Sequence, residues 1–260
     1  MSPSFILERL VDLSHELGRP DRHLSIIAEG NVSAALGDGT FYVKASGGQM
    51  AIIDGNGFTR VKTKVIMDAL DRPDKSDREV QEVLENSRID PQAKLPSIET
   101  FLHAICLEEG GGKWVGHTHP VSVVGILSSK LGAEPFLQHV FPDSIVVCGR
   151  RVATVPYADP GIQLAVEFRR SLRAFIEQHG APPKVILMEN HGPVALGQSG
   201  QEVLNIMLML DKWASVLHGT YAFGGPQFLD DSISDRIESR PDEHHRRRAI
   251  GHLATGKSSN

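Results

Sequence analysis

Cysteine is almost missing: Cys106 and Cys148 are the only two among 260 residues, and they form no C-x-x-C pair. Both lie in apolar surroundings that suit small buried side chains, a usage that fits a reducing cytoplasm. Long hydrophobic runs are missing too. No window approaches the ~18 apolar residues of a membrane span, and the apolar run before Glu8 is too short for a signal-peptide core. Excess positive charge is also absent, with a formal net charge of -5, so the chain is not expected to bind nucleic acid, which demands a basic surface. The one basic run, "HHRRR" at 244–248, lies among Glu238, Asp242 and Glu243 and reads as a solvated helix face or a subunit contact. The glycine-rich stretches carry no following Gly-Lys-Ser/Thr, which excludes a P-loop. Neither internal repeats nor low-complexity tracts occur. These absences lead to the expectation of a cytoplasmic protein without membrane or nucleic-acid partners.

What is there is a chain of 40% hydrophobic and 23% charged residues, enough to bury a sizeable core. Phe5, Ile6, Leu10, Val11 and Leu13 follow a helical spacing that ends before Gly18 and Pro20. Residues 28–61 are short β-rich runs broken at glycines 37, 39, 47, 48, 55 and 57, the pattern of an antiparallel meander. "DRPDKSDREV", 71–80, reads as a charged loop. Helices are expected over 97–110, 121–132, 161–180 and 199–223. Strands are expected over 113–120, 145–149, 152–158 and 184–197, the last with a turn at its end. The alternation implies one α/β domain with a central sheet covered by helices, residues 1–225. The polar tail, 226–260, is either a docking arm or partly ordered.

"GHTHP", 116–120, places His117 and His119 one residue apart at the end of an expected strand. Residues i and i+2 share a strand face with Cα atoms roughly 6.6 Å apart, from which two imidazoles can converge on one cation; the alternative is two histidines on a polar face. His191, in "MENHG", sits at another strand end. A third nitrogen there would complete a catalytic-type site with an open position. Glu99 begins a helix, where a carboxylate can cap amides or, beside a metal-bound carbonyl compound, abstract a proton. His103, four residues on, belongs to the core or supports Glu99 from behind. Asn31, Ser46, the Gly47 amide and Ser97 could form an anion nest. Lys44 is either a surface lysine or a partner for a carboxylate or phosphate.

"EGNVS", "VKASG", "PSIETFLHAI", "VGHTHP" and "MENHGPVALG", in that order from about residue 5 to 225, resemble the class II aldolase/adducin family. The resemblance implies a layered αβα domain with a mixed, largely antiparallel sheet, assembled as a homotetramer. It also implies a divalent metal near a subunit interface, usually zinc, with manganese, cobalt or iron as alternatives. On these motifs His117, His119 and His191 would ligate the metal. Glu99 would ligate it at rest and serve as acid/base, and Asn31, Ser46, Gly47 and Ser97 would bind a substrate phosphate. The implied chemistry is aldol cleavage or formation on a hydroxy-keto or sugar-like substrate through a zinc-stabilised enediolate. Epimerisation, dehydration and decarboxylation occur on the same constellation, and adducin keeps the fold without catalysis. Two departures stand out. Ile98 replaces a second hydroxyl before the glutamate, and no tyrosine lies between Pro120 and Pro156 to act as proton donor. Tyr221, His244 and His245 are the substitutes the sequence offers.

Overall fold

The computed structural model describes residues 2–72 and 74–240. Its frame is a mixed seven-stranded sheet of β1 (Asn31–Ala35), β2 (Thr40–Lys44), β3 (Phe58–Lys62), β4 (Trp114–His117), β5 (Ala153–Val155), β6 (Val185–Met188) and β7 (Gly192–Gly197). The spatial order is β3-β2-β1-β4-β7-β6-β5, with β4 in the middle. Every pairing is antiparallel except β5 with β6. The sheet therefore has the mixed, largely antiparallel character that the resemblance implies.

Side-chain alternation explains why both faces must be covered. Val185 and Leu187 of β6 enter one apolar cluster while Ile186 and Met188 enter the other; Trp114 and Val115 of β4 divide in the same way. The first face is covered by α1 (Pro3–Leu17), α5 (Val121–Leu127), α6 (Pro142–Cys148) and α8 (Gly200–Ala222). The second is covered by α2 (Thr63–Leu70), α3 (Asp77–Ser87), α4 (Thr100–Glu108) and α7 (Ile162–His179). Helix starts are set by local side chains: Ser2 accepts the Phe5 N–H ahead of Pro3, and Ser199 accepts the Glu202 N–H.

Three sequence expectations are corrected. Residues 145–149 form no strand but lie in or just after α6. A short apolar run is equally at home in a buried helix, and here Pro142 opens the turn while Ile145 and Val146 pack against Ile237. The expected charged loop at 71–80 is half helix, because Ser76 and Glu79 form a reciprocal capping box that starts α3; α2 before it was not anticipated. The single strand expected over 184–197 is a hairpin of β6 and β7, turned at Asn190 in the left-handed region (φ 54°). Beyond residue 225 the described chain adds α9 (Asp231–Ser239), held on α6 by Ile237 and by Arg150, whose guanidinium binds Asp231 at 2.6 Å and Asp235 at 2.7 Å. Among the described residues no helix is long and apolar enough to cross a membrane. The "HHRRR" run, His244 and His245 lie outside the described residues.

Candidate metal centre

Four side chains from three segments meet at one end of the central strands: Glu99, His117, His119 and His191, with one donor atom from each within 4.8 Å of all the others. His117 ends β4, on the α4 side of the sheet. His119 lies just past the strand, not on it as the sequence suggested, and is anchored by its backbone N–H to the Leu24 carbonyl at 2.9 Å. His191 closes the turn between β6 and β7. The three rings stand edge-on with centroids 4.7, 4.9 and 5.0 Å apart, a nearly equilateral triangle. Glu99 is the residue before α4, yet its side chain caps nothing. Its Oε1 instead lies 3.1 Å from His191 Nε2 and 3.4 Å from His117 Nε2.

The ring protons show what this arrangement suits. His117 Nδ1–H donates to the Pro193 carbonyl at 2.9 Å, and His119 Nδ1–H donates to Glu29 Oε2 at 3.1 Å. With Nδ1 protonated, each neutral ring turns the Nε2 lone pair inward. Those two nitrogens then face each other at 2.9 Å. Two lone pairs at that distance repel unless a cation is shared between them. Three imidazole nitrogens and one carboxylate suit a divalent cation such as zinc, and by ligand type they also admit manganese, cobalt or iron.

The electrostatics of these groups differ. Burial opposes charge on Glu99, but His117 and His191 beside it hold its carboxyl well below the usual carboxylate range. Burial also works against charge on His117, yet the Glu99 carboxylate and the Pro193 carbonyl outweigh it and raise this imidazole. His119 is pushed down to about 3 by burial first and by its two histidine neighbours second.

Behind Glu99 runs a buried chain of hydrogen bonds. The Ser33 hydroxyl donates to His103 Nδ1 at 2.6 Å, His103 Nε2–H donates to Asn31 Oδ1, and Asn31 Nδ2–H donates to Glu99 Oε2 at 2.5 Å. Burial drives His103 to about 3, so it stays neutral; both of its ring nitrogens are already engaged, by Ser33 and Asn31, and it fixes which way the Asn31 amide faces. Ser97 joins this group, its hydroxyl accepting the Glu99 N–H at 3.3 Å and lying 3.5 Å from Asn31 Nδ2. Ser46 and Gly47 are exposed on the loop that follows β2. Lys44 is no surface lysine: it is 2% exposed, with Nζ donating to the carbonyls of Gly48 at 2.6 Å and of Ala45 and Ala28 at 3.4 Å. Burial lowers its pKa and the nearby Glu99 charge raises it in part.

Glu29 was overlooked in the sequence although it opens the "EGNVS" piece; nothing local marks it as a partner for His119. The segment after the histidine pair turns inward. Phe136 and His139 pack on Trp213, with centroids 5.4 and 4.4 Å away, and His139 bonds Ser144 and the Arg150 carbonyl. Tyr221 is partly exposed in the last turn of α8.

Comparison with known proteins places this geometry. The chain is 28% identical over 203 residues to the uncharacterised oxidoreductase YuxG of Bacillus subtilis (strain 168), a match that covers 75% of this chain and 27% of YuxG. The chain thus spans about a quarter of that relative. Among solved structures, YgbL of Klebsiella pneumoniae, a protein for which aldolase, epimerase and decarboxylase are named as alternatives, superposes with a TM-score of 0.70 at 20% identity, covering 91% of this chain and 99% of YgbL. An L-fuculose 1-phosphate aldolase gives a TM-score of 0.68 at 17% identity, covering 92% and 96%. At such identities the likeness shows the fold. Residues 8–218 match the sequence pattern of the class II aldolase and adducin N-terminal domain, and the chain belongs to that family.

Proposed function

We propose that the chain is a metal-dependent lyase that breaks or forms a carbon-carbon bond beside a carbonyl, an aldol-type reaction on a small sugar-like or hydroxy-keto substrate. The supporting observation is the set of inward Nε2 lone pairs, fixed by Pro193 and Glu29, that meets the Glu99 carboxylate. His117, His119, His191 and Glu99 would hold the cation, zinc first. When bound, it supplies the Lewis acidity that favours ionisation next to the substrate carbonyl. Glu99 carries the proton on Oε1, the oxygen that faces the imidazoles, while Asn31 steadies Oε2. Asn31, Ser97 and the Ser46–Gly47 tip bind the substrate's polar end, and the buried Lys44 binds the Gly48 carbonyl of the same loop.

Two features bear on the substrate. Ile98, 43% exposed beside Ser97, offers no hydroxyl to a phosphate, whereas Lys44 favours an anionic group; a carboxylate answers both. The same centre would serve a decarboxylase, epimerase or dehydratase, and the inward-facing Phe136 and His139 favour a reaction that draws no acid from that segment.

The test is a panel of phosphorylated and free ketoses and hydroxy acids, assayed for aldehyde, epimer, dehydrated product and carbon dioxide. Glu99→Gln is expected to lower turnover by ~10²–10⁴-fold with metal and fold retained; a wild-type rate would refute its role. Carbon dioxide without aldehyde would replace the aldol reading by the decarboxylase one. A protein that holds no divalent metal even after reconstitution would indicate an adducin-like binding domain instead.

A further inference from the structure

The loop before β1 is built more tightly than a connecting loop requires. At its tip Ile27 is 78% exposed and held at φ 57°, a left-handed conformation that a β-branched residue adopts only under constraint. The constraints converge on Glu29. The Ile26 N–H donates to Glu29 Oε1 at 2.6 Å, the Ser25 hydroxyl donates to the Glu29 carbonyl at 2.7 Å, and the Glu29 N–H donates to the Ile26 carbonyl at 3.3 Å. The next residue must be glycine, since a Cβ on Gly30 would stand 2.8 Å from the His117 carbonyl. The second carboxylate oxygen, Oε2, is thereby left pointing at His119 Nδ1.

The two strand-end histidines differ in what holds them. His117 is oriented by a backbone carbonyl of β7, a partner that no substitution removes. His119 depends on one side chain from a separate loop. Its Nδ1–H has a single acceptor, and that acceptor decides whether Nε2 offers a lone pair or a proton to the centre.

We propose that Glu29 is a positioning residue for the metal centre: its carboxylate fixes the Nδ1–H tautomer of His119 and so sets the affinity for the divalent cation. This rests on the metal-dependent reading above. A carboxylate behind a ligating imidazole orients the ring and makes it a better donor, and losing such a partner typically costs ~10–100-fold in metal affinity.

Glu29→Gln is the discriminating variant. Its amide has one oxygen for two donors, the Ile26 N–H and the His119 Nδ1–H. If the oxygen serves Ile26, the amide N–H₂ faces His119, favours the other tautomer and places a proton where the cation binds. Ser25→Ala is the control, because it removes another tie of the same loop without touching His119.

Zinc dissociation constants, from competition with a chromophoric chelator, and imidazole ¹⁵N shifts of the metal-free protein form the experiment. The expected result is ~10–100-fold weaker zinc binding in Glu29→Gln, with Ser25→Ala within about twofold of wild type. The His119 ¹⁵N pattern should move from the Nδ1–H tautomer in wild type toward Nε2–H in Glu29→Gln. Unchanged zinc affinity in Glu29→Gln would overturn the inference while leaving the proposed function standing. Equal weakening in Ser25→Ala would overturn it in favour of loop order. A wild-type protein that binds no divalent metal would overturn both.

Discussion

Gly192 begins β7 directly after His191, and the space at its α-carbon is already taken. A Cβ added there would stand 2.6 Å from the Thr118 carbonyl oxygen, 3.0 Å from His119 Cδ2 and 3.6 Å from His117 Cε1. Ordinary contact begins near 3.4 Å, so Gly192→Ala demands ~0.8 Å of retreat from backbone that carries the histidine pair. Neither side yields cheaply: β7 is hydrogen-bonded to both β4 and β6, and the Thr118 N–H donates to the Pro193 carbonyl. Overpacking of this kind costs ~1–3 kcal/mol. At ~2–4 °C per kcal/mol for a chain of this size, the melting temperature should fall by roughly 2–12 °C. Metal affinity should suffer more than stability, because ligands must stay within ~0.5 Å of a productive geometry.

Gly219→Ala supplies the contrast. Gly219 lies within α8 with nothing inside 4 Å of the added Cβ, so the substitution should stabilise by ~0.4–1 kcal/mol through helix propensity alone. Melting curves of both variants, with zinc and with chelator, separate the effects: Gly192→Ala should lose most of the zinc-dependent rise in melting temperature, and Gly219→Ala should keep it. Identical zinc-dependent shifts in the two variants would refute the view that the crowded Gly192 site holds the histidines in place.

The buried histidines His103 and His139 are held at about 3 and about 4, mainly by burial, against 6.5 for a free imidazole. Below pH 6.5 the unfolded chain gains these protons and the folded chain does not, so stability is full above that pH. It falls with further acidification by up to ~1.4 kcal/mol per pH unit per histidine, until the folded values are reached; denaturant titrations giving constant stability from about pH 7 to about pH 5 would contradict this. The tetramer that the family resemblance implies would bury exposed apolar side chains such as Ile26, Ile27, Ile52, Val121 and Phe223. Light scattering should give four times the 28.4 kDa chain mass, and a monomer at micromolar concentration would remove the tetramer.

The residues of the centre were legible where chemistry is local. An H-x-H pair, a strand-end "NHG" and a glutamate opening a helix each announce themselves in a few letters. Their partners were not, because a partner is defined across the fold. Glu29 reaches His119 from 90 positions away in the chain, and the Pro193 carbonyl has no side chain to read. The surface reading of Lys44 fails because a lone lysine between apolar residues gives no sign that three backbone carbonyls will receive it. Helix α6 was misread because "IVVC" has no period of its own; only the neighbouring α8 and α9 make it a helix.

The four donors are not held alike, and the difference bears on the chemistry. His117 is fixed by the central strand and by the Pro193 carbonyl, His119 by the Leu24 carbonyl and Glu29, and His191 by the hairpin turn, where its N–H donates to the Met188 carbonyl at 3.2 Å. Glu99 sits where a helix cap would be expected but spends neither oxygen on the helix; Thr100 and its backbone amide are tied to Ser97 instead. Swinging the carboxylate away would break its contacts with the imidazoles and Asn31 without unravelling α4. The role proposed for Glu99, to help hold a cation and to carry a proton, would need that independence. The three imidazoles, proposed as the fixed ligands, are tied to the strand ends and lack it.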